Sequence, residues 1–274
     1  MTPAELVDVL WRDYAALAPQ AARVHELLIQ RGEILAHDHL ALRSFGAPGI
    51  GIDALARPFE ALGWRAREHD GFRDKHLRAR YWQHDDAWLP KLFISELVLE
   101  ELSPGAQAVI GRLLAQLPRG FGARRDLPWA GRWWNLAHAD YVALGAESEY
   151  AAWVAAFGFR VHHFTVDVDS LSTFPDLEAL DAFLIEHGFP LDDRGGVIRG
   201  SRSVRIEQSW TRAHMLEVAF ADRVARIPSC RYGFARRYRL PSGELFQGFP
   251  PISPSVREPR SPGERDPRRS YPGG

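Results

Sequence analysis

Ala36-His37-Asp38-His39-Leu40-Ala41-Leu42-Arg43-Ser44-Phe45 and, much later, His162-His163-Phe164-Thr165-Val166-Asp167-Val168 decide the fold reading between them. Each is a short apolar run of the kind that forms a buried strand. Gly63-Trp64 follows His39 by 24 residues and closes an amphipathic helix striped by Leu55, Phe59 and Leu62. Gly188-Phe189 follows His163 by 25 residues and closes a helix striped by Leu177, Leu180 and Leu184. Both glycines stand where a helix C-terminus needs a left-handed residue. Further strands are predicted at Leu77 to His84 and Lys91 to Val98 in the first stretch, and at Ser203 to Trp210 and Met215 to Ala221 in the second. The order strand, helix, strands therefore occurs twice. Two such halves packed face to face form one cleft, with His39 and His163 at matching places on its walls.

Outside the repeat the chain reads as added helices. Thr2-Pro3-Ala4-Glu5 has capping-box spacing and proline at the first helical position, leading into a stripe of Leu6, Val9, Leu10 and Leu17. A second helix through Val24, Leu27 and Leu28 ends at Gly32. Asp53 is the predicted cap of the helix that follows the Gly46–Gly51 turn. Ser103-Pro104 opens a helix carrying Val109, Ile110, Leu113 and Leu117, and another helix runs from Glu147 to Phe157. Residues 119–145, rich in Gly, Arg and Trp, read as a long connection. Residues 1–256 are expected to form a single domain of two similar halves, about 33–118 and 159–249. The tail, 257–274, is proline-rich and mixed in charge, and is expected to be disordered.

Composition narrows the function classes. With 34 basic and 35 acidic residues the formal net charge is -1, which calls for neither nucleic acid nor an anionic membrane. Cys230 is the only cysteine, so an internal disulfide and a zinc site built from several thiolates are both excluded. No basic-then-apolar leader opens the chain, and no apolar run approaches the roughly 20 residues that span a bilayer. A cytoplasmic location is the expectation. Nine Trp and fifteen Phe supply a large core, or the apolar walls of a pocket.

His39 and His163 are the candidate metal ligands among eleven histidines. Two imidazoles from distant parts of the chain, brought to one point with a carboxylate, make the open site of non-haem iron oxygenases. Strand alternation places His37 and His39 on one face, and lets only one of His162 and His163 enter the cleft. Glu96, Glu207 and Glu217 are the strand carboxylates available for the third position. Glu96 lies 57 residues after His39 and Glu217 lies 54 after His163, so the repeat relates them. Arg43, four residues beyond His39 on the same strand face, is the candidate for holding a substrate carboxylate.

The motifs, taken in order, resemble those of the 2-oxoadipate dioxygenase/decarboxylase (2-hydroxyglutarate synthase) family. The residues that carry the resemblance are His37 to Phe45, Lys91 to Leu97, His162 to Thr165, Ile227-Pro228-Ser229-Cys230 and Glu244 to Phe249. It spans roughly residues 5–250. It implies an α+β fold of duplicated βαβββ units, like the vicinal oxygen chelate enzymes, forming a curved mixed sheet around a central metal cleft. It also implies His39 and His163 as Fe(II) ligands, with another divalent metal as the alternative, and Arg43 as the anchor of the substrate carboxylate. The implied activity is O₂-dependent oxidative decarboxylation of a small 2-oxo dicarboxylic acid such as 2-oxoadipate. The family's third ligand is a glutamate in a late Glu-Phe-Ala segment. This chain has Gly233-Phe234-Ala235 there, so the triad is short of one anion unless another carboxylate, first of all Glu217, replaces it. A glyoxalase-type metal-dependent lyase or isomerase, or a non-catalytic small-molecule binding protein, are the alternatives.

Overall fold

Residues 1–67 and 76–249 are described by a computed structural model. Helix α1 (Pro3–Leu17) starts as its sequence predicts: the Thr2 side chain accepts from the Glu5 N–H while Glu5 reaches back to the Thr2 N–H. It is followed by α2 (Pro19–Gln30). The first half then runs β1 (His37–Phe45), α3 (Ile52–Glu60), β2 (Arg65–Arg67), β3 (Leu77–Gln83) and β4 (Lys91–Leu97). Three helices connect the halves: α4 (Pro104–Leu114), α5 (His138–Glu147) and α6 (Glu149–Phe157). The second half runs β5 (Val161–Asp167), α7 (Leu177–Glu186), β6 (Arg199–Ser201), β7 (Ile206–Trp210), β8 (Met215–Ala219), β9 (Val224–Pro228) and β10 (Gly233–Arg237).

Eight of these strands form one mixed sheet in the order β2-β3-β4-β1-β5-β10-β7-β6. The order shows the duplication. Strands β1 and β5 pair antiparallel at the centre, and each has a parallel neighbour from its own half, β4 beside β1 and β10 beside β5. Strands β3 and β7 come next, and β2 and β6 form the edges. Each half is thus a βαβββ unit. Among the described residues, strands β8 and β9 pair only with each other, as an insertion between β7 and β10.

That insertion corrects the expected alignment of the halves. Met215 to Ala221 has strand character but is not the counterpart of Lys91 to Leu97; β10 is. The sequence cannot separate two adjacent strands of equal pattern, because only pairing distinguishes them. Asp53 does not cap α3; Gly51 is the N-cap, and the Glu96 carboxylate accepts from the Ile52 N–H at 2.9 Å. Within 119–145 the chain forms α5, whose only buried residue is Leu144, so its apolar stripe is too thin to be read. The tail expected to be disordered lies outside the described residues. Among the described residues no helix is long and apolar enough to cross a membrane.

Helices α1 and α6 pack against the strands at the sheet centre. Tyr14 and Trp11 of α1 pack on Phe164, with ring centroids 5.2 Å apart in each case. Helix α6 is buried from Tyr150 to Phe157, on all sides, so its stripe carries no direction. Its Tyr150 hydroxyl donates to the Ser95 carbonyl at 2.7 Å and accepts from the Ser44 N–H at 3.2 Å.

Candidate functional site

One cross-strand row defines the site. Lys91 of β4 faces His39 of β1, His39 faces Thr165 of β5, Thr165 faces Gly233 of β10, and Gly233 faces Trp210 of β7. Residues opposite one another across strands share a face, so five strands present these residues together. In the adjoining row, His163 faces Ala41, whose small side chain leaves the imidazole room. The Nε2 atoms of His39 and His163 stand 3.3 Å apart. His39 is buried, whereas His163 keeps some contact with solvent and marks the accessible side of the pair.

Two β-bulges set this geometry. Across β1 and β5, His37 faces Val166 while His39 faces Thr165, so Asp38 is an extra residue; Ala41 faces His163 while Leu42 faces Val161, so His162 is another. A bulge interrupts alternation and re-aims the side chains around it. His37 and His39 are therefore on opposite faces, contrary to the expectation from a regular strand. His37 packs against Phe164 and Trp11, with its Nε2 at 3.1 Å from the Tyr232 hydroxyl.

Each bulged residue supports the histidine that follows it. The Asp38 carboxylate accepts from His39 Nδ1 at 2.6 Å, which leaves His39 Nε2 without a proton. Asp38 is gripped in turn by Arg237 through Nε at 2.5 Å and Nη2 at 2.9 Å, with Lys91 at 3.6 Å. Burial would raise the Asp38 carboxyl, but the charges of Arg237 and Lys91 outweigh it and hold Asp38 well below the usual range. His162 Nδ1 lies 2.9 Å from His163 Nδ1, and its ring packs edge-on against Trp153. His162 thus stays out of the row yet is the direct neighbour of the histidine in it. Burial lowers His39, and it lowers His163 further with the help of His39, Arg43 and Arg231. Both imidazoles are neutral near neutral pH, the form that binds a metal.

The two nitrogens fit a divalent ion. Two imidazoles bound at about 2.1 Å to one ion, with about 100° between the bonds, put their nitrogens about 3.2 Å apart. Both lone pairs can be presented at once: Asp38 fixes the tautomer of His39, and His163 has the same tautomer when it donates Nδ1–H to His162. The third donor is where the arrangement thins. Among the described residues no three His, Cys, Asp or Glu side chains cluster as a metal cage.

The candidate carboxylates are elsewhere. Glu217 is exposed on the separate β8–β9 hairpin, opposite Arg226. Glu96 caps α3 and pairs with Arg78 at 3.1 Å. Glu207 accepts from the Tyr238 hydroxyl at 2.5 Å. None of them is placed to complete the pair. Gly233 sits in the row itself. A Cβ there would stand 2.6 Å from Thr165 Oγ1 and 3.0 Å from Trp210 Nε1, so those two side chains have closed over the position and would have to shift to admit any other residue.

Arg43 is buried at the far end of β1, its guanidinium 4.7 Å from the Tyr150 ring centroid and 5.8 Å from that of Trp153. Burial pulls its pKa down to about 10, so it remains a cation. Phe249 closes the other side, edge-on to His39 at 4.9 Å and stacked over Arg237 at 5.1 Å. Arg237 also donates to the Gly248 carbonyl at 2.7 Å, tying the last described residues to Asp38. Asp38, Thr165, Arg237 and Phe249 were given no role by sequence reasoning, and His162 was weighed only as the alternative to His163. For Asp38 the available signal was a carboxylate between two histidines.

A mixed sheet of two βαβββ units carrying a histidine pair at their junction is the architecture of the vicinal oxygen chelate type. A family model described as 2-oxoadipate dioxygenase/decarboxylase matches residues 129–240. A chloroplastic/amyloplastic 2-oxoadipate dioxygenase/decarboxylase from rice is 32% identical over 83% of this chain and 67% of its own. The chloroplastic enzyme from Arabidopsis thaliana is 33% identical over 79% of this chain and 62% of its own. The crystal structure of rice hydroxyglutarate synthase in complex with 2-oxoadipate superposes with a TM-score of 0.81 at 31% identity, covering 87% of this chain and 81% of that one. This chain belongs to the 2-oxoadipate dioxygenase/decarboxylase family. A glyoxalase-superfamily protein from Ralstonia eutropha, with a TM-score of 0.67 at 23% identity, shares the fold.

Proposed function

We propose that this protein is an Fe(II)-dependent oxygenase/decarboxylase of a small 2-oxo dicarboxylic acid, of the size of 2-oxoadipate, with O₂ as co-substrate. The observation that carries the reading is the convergence of the His39 and His163 Nε2 atoms to 3.3 Å, each backed by its own bulged neighbour. When bound there, the ion supplies the activation of O₂ and the polarisation of the 2-oxo acid. His39 and His163 hold it. Asp38 keeps the His39 proton on Nδ1, and Arg237 and Lys91 keep Asp38 ionised while doing so.

Arg43 binds a substrate carboxylate. Its charge is the right sign, and its burial between Tyr150 and Trp153 strengthens attraction to an anion by excluding water. Phe249 and Phe93, whose rings lie 5.0 Å apart, keep water from the His39 side. With no carboxylate beside the histidine pair, His39 and His163 would leave a bound divalent ion more positive and more loosely held, so binding of the metal and of an anionic 2-oxo acid would reinforce each other. Turnover of 2-oxoadipate is expected to be slower than in a relative that has a glutamate at position 233.

The test is to load the protein with Fe(II) without oxygen, add 2-oxoadipate, admit air, and follow O₂ uptake and CO₂ release together. Coupled consumption and release supports the reading. Turnover that proceeds without O₂ would instead place the chain with metal-dependent lyases, and absence of any iron-dependent reaction with 2-oxo acids of different chain lengths would refute it.

A further inference from the structure

Resting on the metal-site reading above, we propose that the Thr165 hydroxyl is the third protein donor to the ion, giving a neutral His-His-Thr set. Thr165 Oγ1 lies 3.2 Å from His39 Nε2, almost the same separation as that between the two imidazole nitrogens. Donor atoms on one face of an octahedral ion, each bound at about 2.1–2.2 Å, lie about 3.0–3.2 Å apart. Thr165 therefore already stands at a ligand's spacing from His39, on the strand face that also carries His163 two residues earlier. It is fully buried, so its orientation is set by packing.

Gly233 is the other half of the arrangement. The Cβ of any other residue at 233 would come within 2.6 Å of Thr165 Oγ1 and 3.0 Å of Trp210 Nε1. A β-branched side chain in a buried strand has little rotamer freedom with which to retreat. Threonine at 165 in this rotamer and a side chain at 233 exclude each other, and the glycine allows the hydroxyl its place. A hydroxyl is a weaker donor than a carboxylate and adds no negative charge. The ion so held is the more dependent on an anionic, chelating substrate.

Thr165→Val removes the hydroxyl and keeps the shape, while Thr165→Ser keeps the hydroxyl. Each is titrated anaerobically with Fe(II) by calorimetry and with Co(II) by visible absorption, whose ligand-field bands report the donor set. His39→Ala serves as the control for the site itself. Thr165→Val is expected to weaken metal binding about tenfold or more and to alter the Co(II) spectrum, with Thr165→Ser close to wild type. Gly233→Ala, which drives the hydroxyl away without touching residue 165, is expected to act in the same direction and carries the test should Thr165→Val fail to fold. Unchanged affinity and spectrum in both Thr165→Val and Gly233→Ala would overturn the Thr165 assignment while leaving the two-histidine site intact. Wild type and His39→Ala binding alike, or neither binding, would overturn the metal site and this assignment with it.

Discussion

The two halves of the sheet use one backbone plan to support their histidines and fill it with opposite chemistry. In the first half the bulged residue is Asp38, an anion held by Arg237 and Lys91. In the second it is His162, a neutral ring against Trp153. Four residues beyond each histidine the contrast reverses: Arg43 on β1 and Asp167 on β5. The duplicated scaffold sets where groups sit, and the charges at matching positions differ between the halves. The first half backs its histidine with a charge network and carries a buried cation, Arg43, farther along the same strand. The second half offers a lighter hand and a carboxylate that would repel an anion.

The difference predicts unequal costs. Asp38→Asn should be the most damaging change, because it strands Arg237 and Lys91 as buried charges; a loss of about 3–5 kcal/mol is expected, read by urea unfolding. A loss below that of an ordinary surface substitution would mean the network is not what holds β1 to β10. Arg43→Ala is expected to raise KM for 2-oxoadipate about tenfold to a hundredfold with bound iron almost unchanged. Unfolding of that variant would make Arg43 a structural residue. His162→Phe, which keeps the ring against Trp153 and removes the Nδ1 partner, should cost about 1 kcal/mol of stability and weaken iron binding less than Asp38→Asn does. Equal effects would erase the contrast between the halves.

The smallest effect concerns Asp167, whose pKa burial and the Asp38 charge raise to about 6. Because the folded value lies above the unfolded one, the folded protein binds the extra proton between the two, and stability falls as pH rises through about 6. Asp167→Asn should remove that part of the slope, about 1 kcal/mol given the water the group still meets. Melting temperatures of both proteins between about pH 4 and pH 7 measure it, and parallel curves would show that Asp167 carries no such penalty.

Much of this was legible in the chain. The matching distances from His39 to Gly63 and from His163 to Gly188 disclose the duplication, because a strand followed by an amphipathic helix imposes a nearly constant length. The strand period puts Arg43 on the face of His39, and the resemblance to the family implies its role toward a carboxylate. The bulges at Asp38 and His162 could not be read, since a bulge exists only in the pairing of two strands. They turn His37 away from His39 and set Asp38 and His162 behind the His39 and His163 rings. Glu217 attracted attention through its spacing, but the β8–β9 insertion displaces the repeat at that point and leaves it on another sheet. Arg237 could not be connected to Asp38 because their contact joins strands from opposite halves. Thr165 and Gly233 acquire meaning only when β5 and β10 are laid side by side.

The most direct measurement is an anaerobic Fe(II) titration, in the presence of 2-oxoadipate, of the wild-type protein and of His39→Ala and His163→Ala. One iron per chain in the wild type, lost in both variants while their folded structure persists, is the expected result. Iron bound equally well after either histidine is removed would contradict a metal site at the junction of the two halves.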